Sequence, residues 1–144
     1  AEIPLVGHLD DCLVCPDGMM VPLDHKSRGS KPAPGYSAQY YQLQMDVYAL
    51  LLRKNGSLLA TQAYIAYFYP AMAAQPRLEH GFPFACEVEA LDVSASRAEA
   101  CYHAARACLT NDCPVEPASE CSYCAWITSV LTYPLAREDG VWQK

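Results

Sequence analysis

The chain has 144 residues, of which 52% are hydrophobic and 18% are charged, so the sequence predicts a folded globular domain and excludes a disordered chain. The net charge of −6 excludes a protein coated with basic residues for nucleic-acid binding, but it is compatible with one basic or metal-bearing cleft. No apolar run approaches the ~20 residues that a membrane-spanning helix requires.

The sequence begins with a predicted β-hairpin. Residues 3–15 are rich in valine, leucine and isoleucine and predict one strand, and residues 19–26 predict a second strand that returns beside it. The sequence Pro-Asp-Gly at positions 16–18 is typical of a three-residue hairpin loop, because its glycine can adopt a positive φ.

The length of this loop sets the register of the hairpin. A three-residue loop pairs Cys15 with Met19, and it therefore places Asp10 opposite Asp24. A two-residue loop would shift the pairing by one position and place Asp11 opposite Asp24 instead. We favour the three-residue loop, because proline fits the first position of its turn.

A loop and a helix follow the hairpin. Residues 27–37 contain two glycines and two prolines and predict a mobile loop, which carries the basic residues Arg28 and Lys31. Residues 38–54 predict a helix that ends before Asn-Gly. The apolar stripe expected on this helix consists of Tyr40, Leu43, Val47 and Leu51.

The second half of the chain predicts two more strands and a second helix. Residues 58–69 and 82–91 are rich in aromatic, aliphatic and β-branched side chains and predict the strands. Ser96 and Glu99 have the spacing of a capping box, which predicts a helix from there to about Leu109. The order β-β-α-β-β-α predicts an α/β or α+β sandwich with a mixed sheet.

The eight cysteines allow a disulfide scaffold or a reduced protein. Cys101 and Cys108 fall in the helical pattern and Cys86 falls in a strand, where reduced cysteines pack as small hydrophobic residues. We therefore expect a reducing compartment, the cytoplasm, and leave one cysteine-based metal site open.

Charged residues at the end of the hairpin indicate a chemical site. Asp24 and Lys26 leave the same face of a strand, while His25 points away. If Asp10 lies opposite Asp24, the two carboxylates repel each other unless a divalent cation lies between them, and such oxygen ligands suit Mg²⁺ or Mn²⁺. A neighbouring ammonium can stabilise charge on a phosphate. The alternative is an ordinary surface charge cluster.

Three short motifs together carry a resemblance. They are G-x-x-D, which ends at Asp10, D-x-K, which spans Asp24 to Lys26, and Q-x-x-x-Y, which joins Gln44 and Tyr48 on one face of the predicted helix. In this order and spacing, the sequence resembles the RecB-like exonuclease branch of the PD-(D/E)XK nuclease superfamily over nearly the whole chain.

The resemblance implies a fold and an activity. The fold is α/β, with a restriction-endonuclease-like core in which helices flank a central mixed β-sheet, in one domain of residues 1–144 with a cysteine-containing tail at 113–144. The activity is that of a metal-dependent DNA nuclease, which hydrolyses phosphodiester bonds with metal-activated water. DNA is the expected partner, and a homo-oligomer or a larger nuclease complex is left open.

The resemblance also implies roles for individual residues. Asp10 and Asp24 are expected to be catalytic metal ligands, together with the backbone carbonyl of His25, and Lys26 is expected to be catalytic. Residues expected to bind the substrate are Gln44 and Tyr48, together with Arg28 and Lys31 of the basic loop.

The sequence departs from this family at two places. Helices usually precede the G-x-x-D strand and supply a further ligand, whereas this sequence starts at the strand, so the alternative function is a catalytically impaired nuclease fold that binds DNA or a partner. Some relatives bind a four-iron, four-sulfur cluster through C-terminal cysteines, which Cys113, Cys121 and Cys124 resemble loosely. The Cys-x-x-Cys pairs at 12/15 and 121/124 also suggest zinc, but Cys12 and Cys15 lie on opposite faces of a predicted strand and cannot bind one ion without a sharp turn.

Overall fold

The chain folds into a four-stranded sheet and three helices in the order β-β-α-β-β-α-α. The computed structural model describes residues 3–71, 83–111 and 116–131. The elements are β1 (Asp11–Val14), β2 (Met20–Ser27), α1 (Tyr36–Lys54), β3 (Gln62–Pro70), β4 (Phe84–Asp92), α2 (Ala95–Thr110) and α3 (Ser122–Leu131). The predicted α/β fold with a central mixed sheet is confirmed.

The chain divides into two compact units, residues Ala1–Ala107 and Cys108–Lys144. The first unit holds the whole sheet, α1 and most of α2, and the second unit holds α3. The division falls before position 113, where the cysteine-containing tail was expected to begin. Within the described residues, no helix is both long and apolar enough to cross a membrane.

The sheet has the strand order β1-β2-β3-β4 and is mixed. The β1/β2 and β3/β4 pairs are antiparallel, and β2 and β3 are parallel. Parallel neighbours need a crossover connection, and α1 lies between β2 and β3 in the chain as that connection. This arrangement brings α1 against the strand that carries the predicted catalytic residues.

The predicted register of the hairpin is confirmed. Asp11 pairs with Leu23 and Val14 with Met20, and the Cys15 amide donates to the Met19 carbonyl at 2.8 Å. The glycine of the three-residue loop has a φ of 83°, as that loop requires.

The first predicted strand is wrong over residues 3–10, because β1 begins only at Asp11. The residues before it pack on α1 and the core instead of pairing with β2, with Leu5 and Leu9 against the two buried clusters. A Cβ on Gly7 would lie 2.8 Å from Cδ1 of Leu51, so the chain approaches α1 closely at this position and a larger residue would displace the Leu51 side chain.

The buried face of α1 also differs from the prediction. Tyr40 and Leu43 of the expected stripe are 59% and 48% exposed, while Met45 and Tyr48 are buried. Apolar side chains surround this helix, so their spacing alone does not select the face that is covered. The first buried cluster contains Met45, Tyr48, Ala63, Ile65, Tyr67 and Leu91. The second contains Ala49, Leu50, Ala95 and Ala98.

Helix α2 is capped two residues before the predicted capping box. Ser94 is its N-cap, because the Ser94 hydroxyl accepts a hydrogen bond from the Arg97 amide at 3.2 Å. Glu99 does not return to the helix start, since its carboxylate contacts Arg53 at 3.0 Å and Lys54 at 2.7 Å on α1. The predicted capping box is therefore wrong, and its glutamate joins two helices.

Three cysteines that were expected to pack as hydrophobic residues are exposed thiols. Cys86 lies on the face of β4 that also carries the exposed Val88, and Cys101 and Cys108 lie on exposed positions of α2. The helical pattern that suggested burial is present, but the stripe of α2 that packs on α1 is made by the alanines at its start.

Candidate functional site

The centre of the candidate site is Asp24 on β2, whose side chain is almost fully buried. Asp24 is 1% exposed, and its Oδ2 lies 2.6 Å from Nζ of Lys26. The two residues are two positions apart on one strand, so their side chains leave the same face, as the sequence predicts. A buried carboxylate is costly without a cation, and Lys26 supplies one.

The other oxygen of Asp24 is held by α1. The Gln44 amide nitrogen donates to Asp24 Oδ1 at 2.9 Å and to the Tyr48 hydroxyl at 2.8 Å. Gln44 and Tyr48 are four residues apart on the helix and therefore share one face. The structure thus brings the predicted D-x-K and Q-x-x-x-Y motifs together through direct hydrogen bonds.

Asp10 reaches the same strand from the end of the hairpin. The β1/β2 ladder stops at Asp11 and Leu23, one step before Asp10 and Asp24. The Asp10 carboxylate instead accepts a hydrogen bond from the His25 amide at 2.9 Å. Asp10 therefore lies beside the backbone that joins Asp24 to His25, as an exposed acid next to a buried one.

The two faces of β2 have different uses. The His25 ring stacks on Phe68 with centroids 5.8 Å apart, whereas Lys26 lies over the Tyr41 ring at 4.9 Å from its centroid. Tyr40 was predicted to lie on the apolar stripe of α1, but the tyrosine that contacts Lys26 is its neighbour Tyr41. The spacing of 41, 44 and 48 on a helix is a signal that could have identified it.

The Lys26 ammonium is held in its charged form. Partial burial lowers the pKa of Lys26, but the contact with Asp24 outweighs it, and the net pKa lies above the ordinary value for lysine. Lys26 therefore acts at neutral pH as a fixed positive charge and hydrogen-bond donor, and it cannot act as a general base.

The two basic residues of the loop, Arg28 and Lys31, contact different elements of the fold. The Arg28 guanidinium lies 3.8 Å from the centroid of the Tyr36 ring, and the Arg28 amide donates to the Phe68 carbonyl at 2.9 Å. Lys31 forms an ion pair with Glu87 at 2.9 Å. That contact and the Tyr69 hydroxyl lower the pKa of Glu87.

The residues at this site fit a hard divalent cation better than a structural metal. Asp24 and Asp10 provide carboxylate oxygens, and Mg²⁺ is commonly bound by one or two carboxylates with water and substrate phosphate. Within residues 3–71, 83–111 and 116–131, no group of three or more His, Cys, Asp or Glu side chains is placed to hold a metal ion. The expected role of the His25 carbonyl as a further ligand stays a prediction.

The second unit contains Cys121 and Cys124, two of the three cysteines considered as metal or cluster ligands. Cys121 precedes α3, and its thiol accepts the Cys124 amide at 3.3 Å. Hydrogen bonds from the Cys124 thiol and amide lower the pKa of Cys121, while the same thiol contact and burial raise that of Cys124. Cys113 lies outside the described residues, so an iron–sulfur or zinc site with these cysteines stays a prediction.

Comparison with known proteins places this chain in a family. The family model of the PD-(D/E)XK nuclease superfamily matches residues 2–129 of the chain, a span that includes Asp10, D-x-K and Q-x-x-x-Y. Comparisons with curated proteins and with solved structures gave no match. The family model covers most of the chain, so this protein belongs to the PD-(D/E)XK nuclease superfamily.

Proposed function

We propose that this protein is a metal-dependent DNA nuclease of the RecB-like type that hydrolyses phosphodiester bonds. Membership of the PD-(D/E)XK superfamily suggests phosphodiester hydrolysis and a divalent metal. The observation that carries the proposal is the buried Asp24 carboxylate, which is held by Lys26 on one oxygen and by Gln44 on the other. Asp10 supplies a second carboxylate at the same strand.

Asp24 and Asp10 are the residues that would hold Mg²⁺ or Mn²⁺, with the His25 carbonyl as the third protein ligand. When bound, such an ion activates water for attack and neutralises charge on the phosphate. Gln44 fixes one Asp24 oxygen and the His25 amide fixes one Asp10 oxygen, so both acids are oriented before any ion or substrate arrives.

Lys26 is the proposed catalytic cation. Its ammonium stays charged at neutral pH and can donate to the phosphate oxygens, on which negative charge increases in the transition state. The Tyr41 ring lies below this ammonium and limits its positions. In this role Lys26 first neutralises the buried acid and then shares its charge with the substrate.

Gln44 and Tyr48 are proposed as positioning residues rather than as direct contacts to DNA. The Gln44 amide nitrogen is used by Asp24 and Tyr48, and Tyr48 is only 7% exposed. Arg28 and Lys31 follow β2 in the chain and are proposed to contact phosphates beyond the one that is cleaved.

The test is cleavage of single-stranded and double-stranded DNA with Mg²⁺ or Mn²⁺ by the wild type, Asp24→Asn and Lys26→Met. We expect metal-dependent cleavage by the wild type and a loss of about 10²- to 10³-fold in each variant, the range for removing one group that stabilises transition-state charge. Chelation of the metal should abolish the wild-type activity.

Two matched variants control for the substitutions themselves. Lys54→Met removes another ion-paired lysine, whose partner is Glu99, and Asp92→Asn removes another carboxylate at a strand end. Both should cleave DNA like the wild type. Equal cleavage by all five proteins would reject the assignment. Binding of DNA without metal-dependent cleavage would instead support the impaired nuclease fold as a binding module.

A further inference from the structure

A group of tyrosine rings surrounds the start of α1. The Tyr36 ring lies 4.4 Å from the Tyr40 ring and 5.9 Å from the Tyr41 ring, measured between centroids. These three residues form one aromatic cluster, which we call the tyrosine cluster. Tyr40 is 59% exposed although it is in contact with Tyr36, so a large aromatic surface faces solvent at this point.

The tyrosine cluster is continuous with the candidate active site. Tyr41 lies under the Lys26 ammonium at one end, and Tyr40 is exposed at the other. Tyr36 contacts both rings and therefore connects them. A chain of aromatic contacts thus leads away from the ion pair that we propose acts on the phosphate.

A positive charge is fixed on the same cluster. The Arg28 guanidinium lies over the Tyr36 ring at 3.8 Å, and its backbone is tied to β3 through Phe68. The acidic Glu87 on β4 is paired with Lys31, which offsets its repulsion of an anion. The aromatic surface therefore lies beside a cation that is held in place, although the whole chain has a net charge of −6.

An exposed ring beside a fixed guanidinium is the combination that proteins use to bind unpaired nucleotides. The flat ring stacks on a base, and the cation contacts the adjacent phosphate. Bases in a duplex already stack on their neighbours and expose only their edges. An exposed tyrosine ring therefore gains little binding free energy from intact double-stranded DNA. A surface of this kind would therefore bind unpaired DNA in preference to paired DNA.

We propose that Tyr40, supported by Tyr36 and Arg28, stacks on an unpaired base next to the cleaved phosphate, and that this makes single-stranded DNA the preferred substrate. The proposal rests on the proposed nuclease function for the identity of the ligand as DNA. It assigns to Tyr40 a role in substrate selection, and it leaves the chemistry to Asp10, Asp24 and Lys26.

The binding experiment uses the full chain without divalent metal, so that no cleavage occurs. A single-stranded oligodeoxynucleotide that contains one 2-aminopurine is compared with the same sequence as a blunt duplex. We expect tighter binding to the single strand and quenching of the 2-aminopurine on binding, since stacking quenches this base. Tyr40→Ala should weaken single-strand binding by about five- to tenfold, the lower part of the range for one stacked base, and abolish the quenching.

Two further variants separate stacking from a loss of structure. Tyr40→Phe keeps the ring and should behave like the wild type. Leu43→Ala truncates another exposed apolar side chain, one turn further along α1, and should change neither binding nor quenching. Binding to the duplex should be the same for all four proteins.

A cleavage experiment with Mg²⁺ distinguishes this proposal from the proposed function. For single-stranded DNA, Tyr40→Ala should raise KM by the same factor as the loss of binding and leave kcat unchanged. If the wild type cleaves DNA but Tyr40→Ala changes neither KM nor quenching, base stacking by Tyr40 is rejected and the proposed nuclease function is retained. If binding and quenching depend on Tyr40 but no metal supports cleavage, base stacking by Tyr40 is retained and the proposed nuclease function is rejected. Equal binding of single strand and duplex by the wild type would also contradict the stacking proposal.

Discussion

Two buried aspartates, Asp24 of β2 and Asp46 of α1, differ in the number of partners that contact their carboxylate oxygens. Asp46 of α1 is fully buried and accepts hydrogen bonds from the Ser94 amide at 2.8 Å and from Gln42 at 3.2 Å, besides two from the Arg97 guanidinium. Asp24 is equally buried but has one partner on each oxygen.

We propose that this difference separates a structural acid from a reactive one. Asp46 joins α1 to the start of α2, because its carboxylate accepts hydrogen bonds from the Arg97 guanidinium and the Ser94 amide. These contacts within the folded chain use its capacity to accept hydrogen bonds. Asp24 keeps capacity for another ligand, and the exposed Asp10 lies beside its backbone. The number of partners on a buried carboxylate, rather than its burial, indicates which acid can take part in chemistry.

The largest expected difference is in stability. Asp46→Ala should lower the free energy of unfolding by about 3 kcal/mol, because it removes four hydrogen bonds, each of which contributes about 1 kcal/mol. Asp24→Ala should cost less, about 1.5 kcal/mol without metal, because it removes only the contacts with Lys26 and Gln44. Urea denaturation measures both values. Equal losses would show that Asp24 is as fully integrated into the fold as Asp46.

When Mg²⁺ is bound, we expect Asp24 to contribute more to the free energy of unfolding than Asp46 does. Mg²⁺ at one hundred times its dissociation constant should stabilise the wild type by about 2.7 kcal/mol, if it binds only the folded chain. Asp46→Asn should retain this increment, and Asp24→Asn should lose it. Thermal unfolding with and without Mg²⁺ gives the increments. A shift retained by Asp24→Asn would place the metal elsewhere.

Two glutamines provide a matched comparison, since each donates to one of the two aspartates. Each amide donates two hydrogen bonds, so Gln42→Met and Gln44→Met should each lower the free energy of unfolding by about 2 kcal/mol, at about 1 kcal/mol for each bond. Only Gln44→Met should raise the Mg²⁺ concentration needed for half-maximal cleavage. A similar rise in Gln42→Met would contradict the positioning role of Gln44.

The smallest expected effect concerns alkaline pH. Because the folded pKa of Lys26 is raised, its stabilising contact with Asp24 is complete below the ordinary lysine pKa of about 10.4 and is lost as pH rises through the folded value. The stability difference between wild type and Lys26→Met should therefore stay constant from pH 8 to about pH 10 and shrink at higher pH. The ordinary pKa of arginine lies well above that of lysine, and Asp46 raises the pKa of Arg97 further, so the stability difference between wild type and Arg97→Met should persist over this range. A constant difference for Lys26→Met would show that its charge does not matter.

The parts of the structure that sequence reasoning predicted are those fixed by short-range geometry. The Pro-Asp-Gly loop determines the register of the hairpin, because only one pairing closes a three-residue loop. The separation of Gln44 and Tyr48 determines that they share a helix face, whatever that face contacts. Both features needed no knowledge of the tertiary structure.

The parts that were wrong depend on competition between similar residues. Tyr40 and Tyr41 are adjacent and chemically identical, and only the packing of α1 on the sheet selects Tyr41 for the inner face. Ser94 and Ser96 compete for the cap of α2, and the contact of Arg97 with Asp46 accompanies the choice of Ser94. Such choices are made by partners distant in the chain, which periodicity does not reveal.

The bond between Asp10 and the main chain at position 25 has a consequence for engineering. Any amino acid other than proline offers the same N–H there, and the side chain at that position points to the opposite side of the sheet. Position 25 is therefore a suitable attachment point for a fluorescent label or a crosslinker, because a new group there would report on β2 without displacing either acid.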